Sequence, residues 1–292
     1  MRRLTLESLE VLDAIDRRGS FAAAAASLHR VPSKVTYTVN RLQEDLGVTL
    51  FVREGRRSVL TPAGRLLLEQ GRELLEAADR LVEKTRQAEH GWESCLRIAL
   101  DTLLDMDFLA PHLAAFCALR PDTEIRVSSE VLGGTWEAVQ HARADLAIGA
   151  AERPPDSAGI DLRPLMTVPW VFAVAPAHPL AAHAGPLSEQ ERLQHRAVVI
   201  SDSSRERPAR SSRVFEKQQR LAVPGMAHKI AAQRAGLGAG FLPRHRVQAL
   251  LEAGDLVALE LEEPAPDSTL YLAWRRSNRG RALHWLVESL SP

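Results

Sequence analysis

The sequence predicts a multidomain α+β protein with three parts: an N-terminal winged helix-turn-helix, a long linker helix, and a C-terminal α/β region of two lobes. Residues 20–44 show two short helical patterns that meet across a tight connection. A much longer helical pattern follows Thr61, and from Leu96 onward short apolar strands alternate with helices. At 292 residues the chain is long enough for several compact units with their own cores.

The first two predicted helices are short. One covers residues 6–18, with Thr5 as its expected N-cap and Gly19 ending it. The other is rich in alanine and follows Ser20, whose hydroxyl can accept a hydrogen bond from a first-turn amide. Because its side chains are small, this second helix is predicted to pack closely and to support the helix that follows.

The third predicted helix has the pattern of a helix that reads DNA. Its apolar stripe is Val35, Val39, Leu42 and Leu46, which leaves the opposite face polar. Short or planar polar side chains let a helix approach the major groove, and flanking cations attract the phosphates. The alternative is an ordinary surface helix, and Val31-Pro32 at its start offers no side-chain cap. The residues of this helix that we expect to contact DNA are Ser33, Lys34, Thr36, Tyr37, Asn40 and Arg41.

A small hairpin is predicted after Gly47, with strands at 49–53 and 58–61. Arginines at its tip would lie near phosphates or a minor groove, although a solvated turn commonly carries such charges as well. Residues 1–64 hold ten Lys and Arg against seven Asp and Glu, so positive charge gathers at the N-terminus. This excess is modest, and we expect binding to rely on paired copies. The hairpin residues expected to hold the DNA backbone are Arg53, Arg56, Arg57 and Thr61.

The linker helix is predicted to start at Thr61-Pro62 and to run to about Glu89. Leucines recur along it every seven residues, a pattern typical of paired helices. The alternative, a helix lying on its own chain, is disfavoured because the preceding domain is small. We therefore predict a dimer through Leu67, Leu74 and Leu81.

The remaining chain predicts two α/β lobes. The order of strand, helix and strand implies a parallel sheet with right-handed crossovers, interrupted at Pro154-Pro155 and at Pro164. The last strand and a closing helix to Leu290 are expected to return to the first group, which leaves a ligand cleft between two hinged lobes. The predicted strands are 96–100, 123–131, 144–150, 170–176, 197–202, 240–243 and 269–275, with a helix at 226–235. The expected domains are 1–64 for DNA binding, 65–90 for the linker helix, and 91–292 for the lobes, with lobe I at about 91–164 and 268–292 and lobe II at about 165–267.

Composition and motifs exclude several functional classes. No apolar run approaches the length of a membrane span, so a cytoplasmic protein without a membrane partner is expected. Cys95 and Cys117 are too few for a disulfide framework, and no cluster has metal-ligand spacing, so neither metal nor cofactor is expected. A redox sensor that bridges the two cysteines would need a large movement. A purely architectural DNA protein would leave the lobes without a role.

The chief alternative is an enzyme built from two α/β lobes, and the sequence offers it no catalytic motif. The glycines at 236, 238 and 240 lack the spacing of a dinucleotide-binding loop. There is no phosphate-binding loop with Lys-Ser or Lys-Thr, and no nucleophile elbow. His178 and His183 lack an obvious third metal ligand. We therefore expect no enzymatic activity.

The arrangement resembles the LysR-type transcriptional regulators over essentially the full length of the chain. The most specific motifs are Gly19-Ser20-Phe21, the alanine-rich helix, Leu28-His29, the run Arg41 to Gly47, Leu50-Phe51-x-Arg53 and Leu60-Thr61-Pro62-x-Gly64. Weaker but consistent motifs are Asp145-Leu146-Ala147-Ile148 and Gly236-x-Gly238-x-Gly240-x-Leu242-Pro243.

The resemblance implies a DNA-binding regulator whose activity is gated by a small-molecule effector in the cleft of a periplasmic-binding-protein-like domain. A regulator without such a ligand is the alternative. The implied partners are double-stranded DNA with an interrupted palindrome, further copies of the chain in a dimer or tetramer, and RNA polymerase. By position, Thr36 matches a serine that contacts phosphate, and Ser33, Tyr37 and Asn40 would read bases. Arg41, with the hairpin residues, would hold the backbone.

The effector is expected at strand ends and helix starts that face the cleft. Hydroxyls often bind a carboxylate at the first of these positions in the family, whereas Asp101 favours a ligand with hydrogen-bond donors. The basic run from Arg205 to Arg220 would instead attract an anion, or form a solvated helix face. The expected effector-binding residues are Asp101, Thr102, Gly133, Gly134, Thr135, Ser201, Asp202, Ser203, Ser204 and Met226.

Overall fold

The computed structural model describes residues 4–54, 57–151, 158–205, 215 and 218–291, without the side chains of 53, 54, 57, 80, 83, 84 and 86–90. It divides the chain into two compact units, Met1–Glu89 and His90–Pro292. No helix among the described residues is both long and apolar enough to cross a membrane.

The first unit has the predicted order of three helices, a hairpin and a long helix. Each start and end follows from local chemistry. Thr5 and Ser8 cap the first helix reciprocally, Gly19 ends it with a φ of 73°, and Ser20 accepts a bond from the amide of Ala23. The elements are α1 (Leu6–Arg18), α2 (Phe21–Ser27), α3 (Pro32–Leu46), β1 (Phe51–Glu54), β2 (Arg57–Leu60) and α4 (Pro62–His90).

The inner stripe of α3 is buried as predicted, except at its last position. Val35, Val39 and Leu42 are at most 2% exposed, whereas Leu46 is 37% exposed. The prediction for Leu46 was wrong because this residue ends the helix, where Gly47 turns the chain away in a left-handed conformation. Val31 makes no side-chain cap bond, and Pro32 occupies the first turn, both as the sequence indicates.

The first turns of α4 belong to the core of the first unit. Leu68 is 4% exposed and packs in one cluster with Leu12, Leu42 and Leu50. Gly64 is required there because a Cβ atom would lie 2.2 Å from the carbonyl oxygen of Leu50. The beginning of this helix therefore does lie on its own chain, which was the disfavoured alternative.

Lobe I of the second unit is built on a five-stranded sheet in the order β4-β3-β5-β12-β6. Strands β3, β4 and β5 are parallel, and the last strand returns to pair with β5, as predicted. Its elements are β3 (Cys95–Asp101), α5 (Met106–Leu119), β4 (Glu124–Glu130), α6 (Gly133–Gln140), β5 (Leu146–Ala151), β6 (Ile160–Val168), β12 (Ser268–Arg275) and α10 (Arg281–Leu290).

Two details of lobe I differ from the prediction. The sheet is mixed rather than wholly parallel, because β12 and β6 join it in the antiparallel direction. Pro164 does not interrupt the sheet but lies within β6, so lobe I extends to Val168 beyond the expected limit at 164. An edge strand tolerates proline because the missing amide faces away from its neighbour, and the pairing with β12 shifts register beside Pro164. Pro154-Pro155 lies outside the described residues.

Lobe II contains a three-stranded sheet in the order β10-β7-β11 and a parallel pair of β8 and β9. The sequence predicted β7, β8, α8 and β10 but missed the remaining elements. Residues of both lobes, among them Leu104, Ile200 and Leu242, share one buried apolar cluster. The elements are β7 (Trp170–Val174), the 3₁₀ helix Pro179–Ala182, α7 (Glu189–Leu193), β8 (Ala197–Ile200), β9 (Arg220–Val223), α8 (Met226–Arg234), β10 (Gly240–Pro243), α9 (Arg244–Glu252) and β11 (Val257–Leu259).

Candidate DNA-binding face and interlobe site

The outer face of α3 is open to solvent along the whole helix. Ser33, Lys34, Thr36, Tyr37, Asn40 and Arg41 are all exposed, and Tyr37 is 61% exposed. These side chains are polar, and the helix behind them is anchored by its buried stripe. The face can therefore enter a groove without uncovering the core.

Local bonds orient part of this face. The Thr36 hydroxyl donates to the carbonyl oxygen of Pro32 at 3.1 Å, and Arg41 donates to the Tyr37 hydroxyl at 3.3 Å. Lys34 lies 3.7 Å from Glu7 of α1. Ser33 and Asn40 make no side-chain hydrogen bond in the part of the chain that the structure describes. Their polar atoms are available to an outside partner.

Gln43 holds α3 against the hairpin, a role that the sequence analysis missed. Its side-chain oxygen accepts the amide of Leu50 at 2.7 Å and that of Phe51 at 3.3 Å. Leu50 is fully buried, so its amide has no access to water. Gln43 therefore fixes the hairpin relative to the helix that precedes it.

The hairpin places Phe51 opposite Leu60 and Glu54 opposite Arg57. Arg53 and Arg57 lie on its strands, but their side chains fall outside the described residues, as does the whole of Arg56. The hydroxyl of Thr61 donates to the carbonyl of Thr49 at 2.7 Å and accepts the amide of Gly64 at 3.0 Å. These bonds cap α4, so a contact of Thr61 with DNA stays a prediction.

Asp101 ends β3 and is buried at the centre of the predicted effector site. Its carboxylate accepts the amide of Leu103 at 3.0 Å and the hydroxyl of Thr135 at 2.8 Å. Burial raises the pKa of Asp101 to about 7, against the lowering effect of these hydrogen bonds. Both residues are at most 1% exposed, so the carboxylate joins β3 to the start of α6 rather than facing open solvent.

Thr102, the next residue, touches lobe II. Its carbonyl oxygen accepts a bond from Arg246 of α9 at 3.1 Å, and its methyl group lies 3.1 Å from the position of a Cβ atom on Gly225. Its hydroxyl oxygen is buried, and none of the residues that the structure describes hydrogen-bonds to it. Arg246 also pairs with Asp105 at 3.2 Å, a contact between lobes that the sequence analysis missed.

The predicted residues of lobe II after β8 meet those of lobe I directly. Asp202 accepts the amide of Gly134 at 3.3 Å, and the Ser203 hydroxyl accepts the amide of Val131 at 2.9 Å. The Ser204 hydroxyl donates to Glu137, which also accepts the amide of Arg205 at 2.8 Å. The structure thus brings the two halves of the expected site together, and they bond to each other.

Two residues of the expected site lie differently. Met226 is 1% exposed and packs in the apolar cluster shared by the lobes, so its side chain faces protein. Ser201 is exposed, and its amide continues the β8–β9 pairing by donating to Val223 at 2.8 Å. Most of the basic run between Arg205 and Arg220 lies outside the described residues.

The leucine repeat of α4 is divided between two environments. Leu67 is partly buried and packs beside the cluster that contains Leu68. Leu74 is 49% exposed and Leu81 is 67% exposed, with Val82 beside them at 51%. The second half of the repeat thus presents an uncovered apolar stripe.

The fold and these two sites define a class of protein: a winged helix-turn-helix joined to a two-lobed α/β binding domain. Residues 6–65 match the family described as "Bacterial regulatory helix-turn-helix protein, lysR family", and residues 89–291 match the "LysR substrate binding domain". The chain belongs to the LysR family, and it is a DNA-binding transcriptional regulator with an effector-binding domain.

Two relatives are similar in sequence to this chain over nearly its whole length. The probable HTH-type transcriptional regulator YhaJ of Escherichia coli K12 is 40% identical over 99% of this chain and 96% of its own length. The regulator PunR of the same strain is 38% identical over 97% of this chain and 91% of its own. These relatives are named as transcriptional regulators, so the enzyme alternative has no support.

Solved structures show the same fold. A probable transcriptional regulator from Pseudomonas aeruginosa, PA0477, matches with a TM-score of 0.58 at 22% identity, covering 99% of this chain and 97% of that one. Full-length CbnR in complex with its target DNA matches with a TM-score of 0.65 at 18% identity, covering 98% of this chain and 99% of that one.

Proposed function

We propose that α3 reads base edges through Ser33, Tyr37 and Asn40, while Thr36 and Arg41 position the helix on the backbone. The observation that carries this proposal is the exposed polar face of α3, on which the side-chain amide of Asn40 bonds to none of the described residues. An asparagine side chain can pair with the donor and acceptor of adenine in the major groove. Lys34, Arg53, Arg56, Arg57 and Thr61 complete the proposed contacts, all with phosphate or with a minor groove.

Regulators of the LysR family bind DNA and form oligomers. For this chain we propose a dimer through the exposed second half of α4, which places two α3 helices on the half-sites of an interrupted palindrome. A second candidate surface is β4, an edge strand of the lobe I sheet, on which Val127 is 38% exposed. Pairing through this surface would build a tetramer from dimers.

A small-molecule effector is proposed to act between the lobes, near Thr102 and Thr135. The buried hydroxyl of Thr102 supports this placement, because an unpartnered buried hydroxyl is costly and a ligand could bond to it. Four acidic residues, Asp101, Glu130, Glu137 and Asp202, outnumber the two arginines, Arg143 and Arg246, around this point. Hydrogen-bond donors therefore suit the site better than a further anion. The proposed regulator needs no other cofactor. It acts in the cytoplasm, where bacterial DNA lies, and RNA polymerase is its proposed downstream partner.

The DNA-reading role is tested by comparing Asn40→Ala and Arg56→Ala on the target operator and on random DNA, at one fixed salt concentration. Loss of a base contact should weaken operator binding by about 1–3 kcal/mol and relax selectivity at one base pair. Loss of a phosphate contact should weaken both DNAs alike and lower the salt dependence. Fluorescence anisotropy measures both affinities. An equal loss on operator and random DNA for Asn40→Ala would contradict its role as a base reader.

A further inference from the structure

A short segment of lobe II, Asp202–Arg205, lies across the end of β4 and the start of α6 in lobe I. We call this segment the latch. Each of its residues makes a bond with lobe I through the side chain or the backbone. The latch therefore adds a set of polar bonds between the lobes to the apolar cluster that they share and to the contacts of Arg246.

Two buried carboxylates of lobe I receive the latch. Glu130 is 7% exposed and Glu137 is 2% exposed. Glu130 accepts the Ser203 hydroxyl at 2.7 Å on one oxygen and Arg143 at 2.9 Å on the other. A buried carboxylate is stable only when it is hydrogen-bonded or paired. Moving the latch away would remove the bonds that Ser203, Ser204 and Arg205 make and admit water to both carboxylates, while Glu130 would keep its pair with Arg143.

The start of α6 accepts a carboxylate from the chain itself. Asp202 lies over Gly133 and Gly134, where the first-turn amides of the helix favour negative charge. It also accepts the amide of Ser204 at 2.9 Å, which holds the carboxylate in this position. An acidic group from elsewhere would meet Asp202 there before it met the helix.

Gly133 and Gly134, at the start of α6, allow the latch to lie close to the helix backbone. A Cβ atom on Gly134 would lie 1.9 Å from the hydroxyl oxygen of Ser203 and 2.8 Å from its carbonyl carbon, so the latch could not stay in place. A Cβ atom on Gly133 would lie no closer than 3.2 Å to Asp202 or Ser204. A displacement of a few tenths of an ångström would accommodate it. The two neighbouring positions therefore differ sharply in their tolerance of a methyl group.

We propose that the latch is an intramolecular closure device, in which Asp202–Arg205 holds the lobes together without any effector and must be released before a ligand enters between them. This inference rests on the proposed effector site for its regulatory meaning, but the closure itself is a property of the chain alone. Opening the latch exposes Glu130 and Glu137, while closing it buries them against the hydroxyls of Ser203 and Ser204.

Gly134→Ala tests the latch, with Gly133→Ala as its matched control in the same helix turn. Both changes replace glycine by alanine in a helix, so their effects on helix propensity are similar. Hydrogen exchange by mass spectrometry on the full chain, without DNA or effector, would follow residues 129–136, which include the amides of Val131 and Gly134. We expect exchange there to accelerate about tenfold or more in Gly134→Ala and to stay near the wild-type rate in Gly133→Ala.

Ser203→Ala is a second variant that introduces no clash. It removes the hydroxyl that bonds both Glu130 and Val131, and it should accelerate exchange over the same residues. Unchanged exchange in both Gly134→Ala and Ser203→Ala would overturn the proposal. Because no DNA or effector is present, that result would leave DNA reading by Asn40 untouched, and a failed operator assay would leave the latch untouched.

Discussion

The outer face of α3 and the interlobe site use polar side chains in opposite ways. On α3, polar groups such as those of Ser33 and Asn40 face solvent, where another molecule can bond to them. Between the lobes, Asp101 and Thr135 are buried and bonded to each other. DNA reading by α3, as proposed, would need no rearrangement of the helix, whereas a ligand at the proposed effector site would have to replace internal bonds with its own. A regulator needs both, because one site has to be constant and the other has to switch.

The two regions should also differ in how much a substitution changes the free energy of unfolding. Removing a side chain that faces solvent leaves no buried group without a partner, so the folded state loses little. Removing one that is bonded inside strands its partners in a dry environment. The difference can be measured because every tryptophan of the chain lies in the second unit, at Trp92 and beyond. Tryptophan fluorescence then reports unfolding of that unit, while circular dichroism reports both.

The largest effect on stability is expected at Asp101, whose contribution to the free energy of unfolding depends on pH. Its pKa is about 7 in the folded protein against 3.8 for the ordinary side chain. The folded state therefore binds the proton more tightly, so the stability that Asp101 contributes is full below about pH 4 and is lost as pH rises through 7. Between pH 5 and pH 8 the wild type should lose about 3 kcal/mol from this group.

Asp101→Asn should remove that loss, because asparagine stays neutral at every pH. Urea unfolding followed by tryptophan fluorescence at pH 5 and pH 8 gives the difference between variant and wild type. Burial lowers the pKa of His178 and of His245, which acts in the opposite direction, but this contribution cancels in the difference. A variant with the same pH dependence as the wild type would show that Asp101 does not hold the proton.

A smaller loss of stability is expected for Gln43→Ala. Gln43 differs from the exposed residues of α3 because its side chain is bonded inside the unit. Gln43 is bonded inward like the interlobe residues, and its loss strands the amides of Leu50 and Phe51. The first unit should be destabilised by about 1–3 kcal/mol. The unfolding transition seen by circular dichroism should move, while the tryptophan transition stays in place. Gln43→Glu keeps an acceptor oxygen and should restore most of the stability. An unshifted circular dichroism transition in Gln43→Ala, together with no recovery in Gln43→Glu, would contradict the role assigned to Gln43.

The sequence predicted the first unit well because its signals are local. The cap at Thr5, the left-handed glycine at Gly19 and the stripe of Val35 and Val39 are each decided within a few neighbouring residues. The outward face of α3 follows from the same periodicity, so its exposure could be predicted with its residues. Their contacts with DNA stay a prediction.

The interlobe site was predictable only in outline. Strand ends indicated which segments meet, but not that Asp202 would approach Gly134 or that Ser204 would bond to Glu137. These partners lie far apart in the sequence, and no periodic pattern links them. The prediction that Pro164 interrupts the sheet was wrong for a related reason. A proline within a strand is acceptable only at a sheet edge, and which strand lies at the edge depends on the whole sheet.

The smallest effect is expected for Asn40→Ala on stability, and it tests the comparison most directly. Because Asn40 is exposed, its loss should strand no buried group, and alanine favours the helix slightly more than asparagine does. The free energy of unfolding should stay within about 0.5 kcal/mol of the wild type or rise a little. Urea unfolding by circular dichroism, with Gln43→Ala measured in parallel, gives both values. A loss as large as that of Gln43→Ala would mean that Asn40 already has an internal partner, and α3 would then resemble the interlobe site.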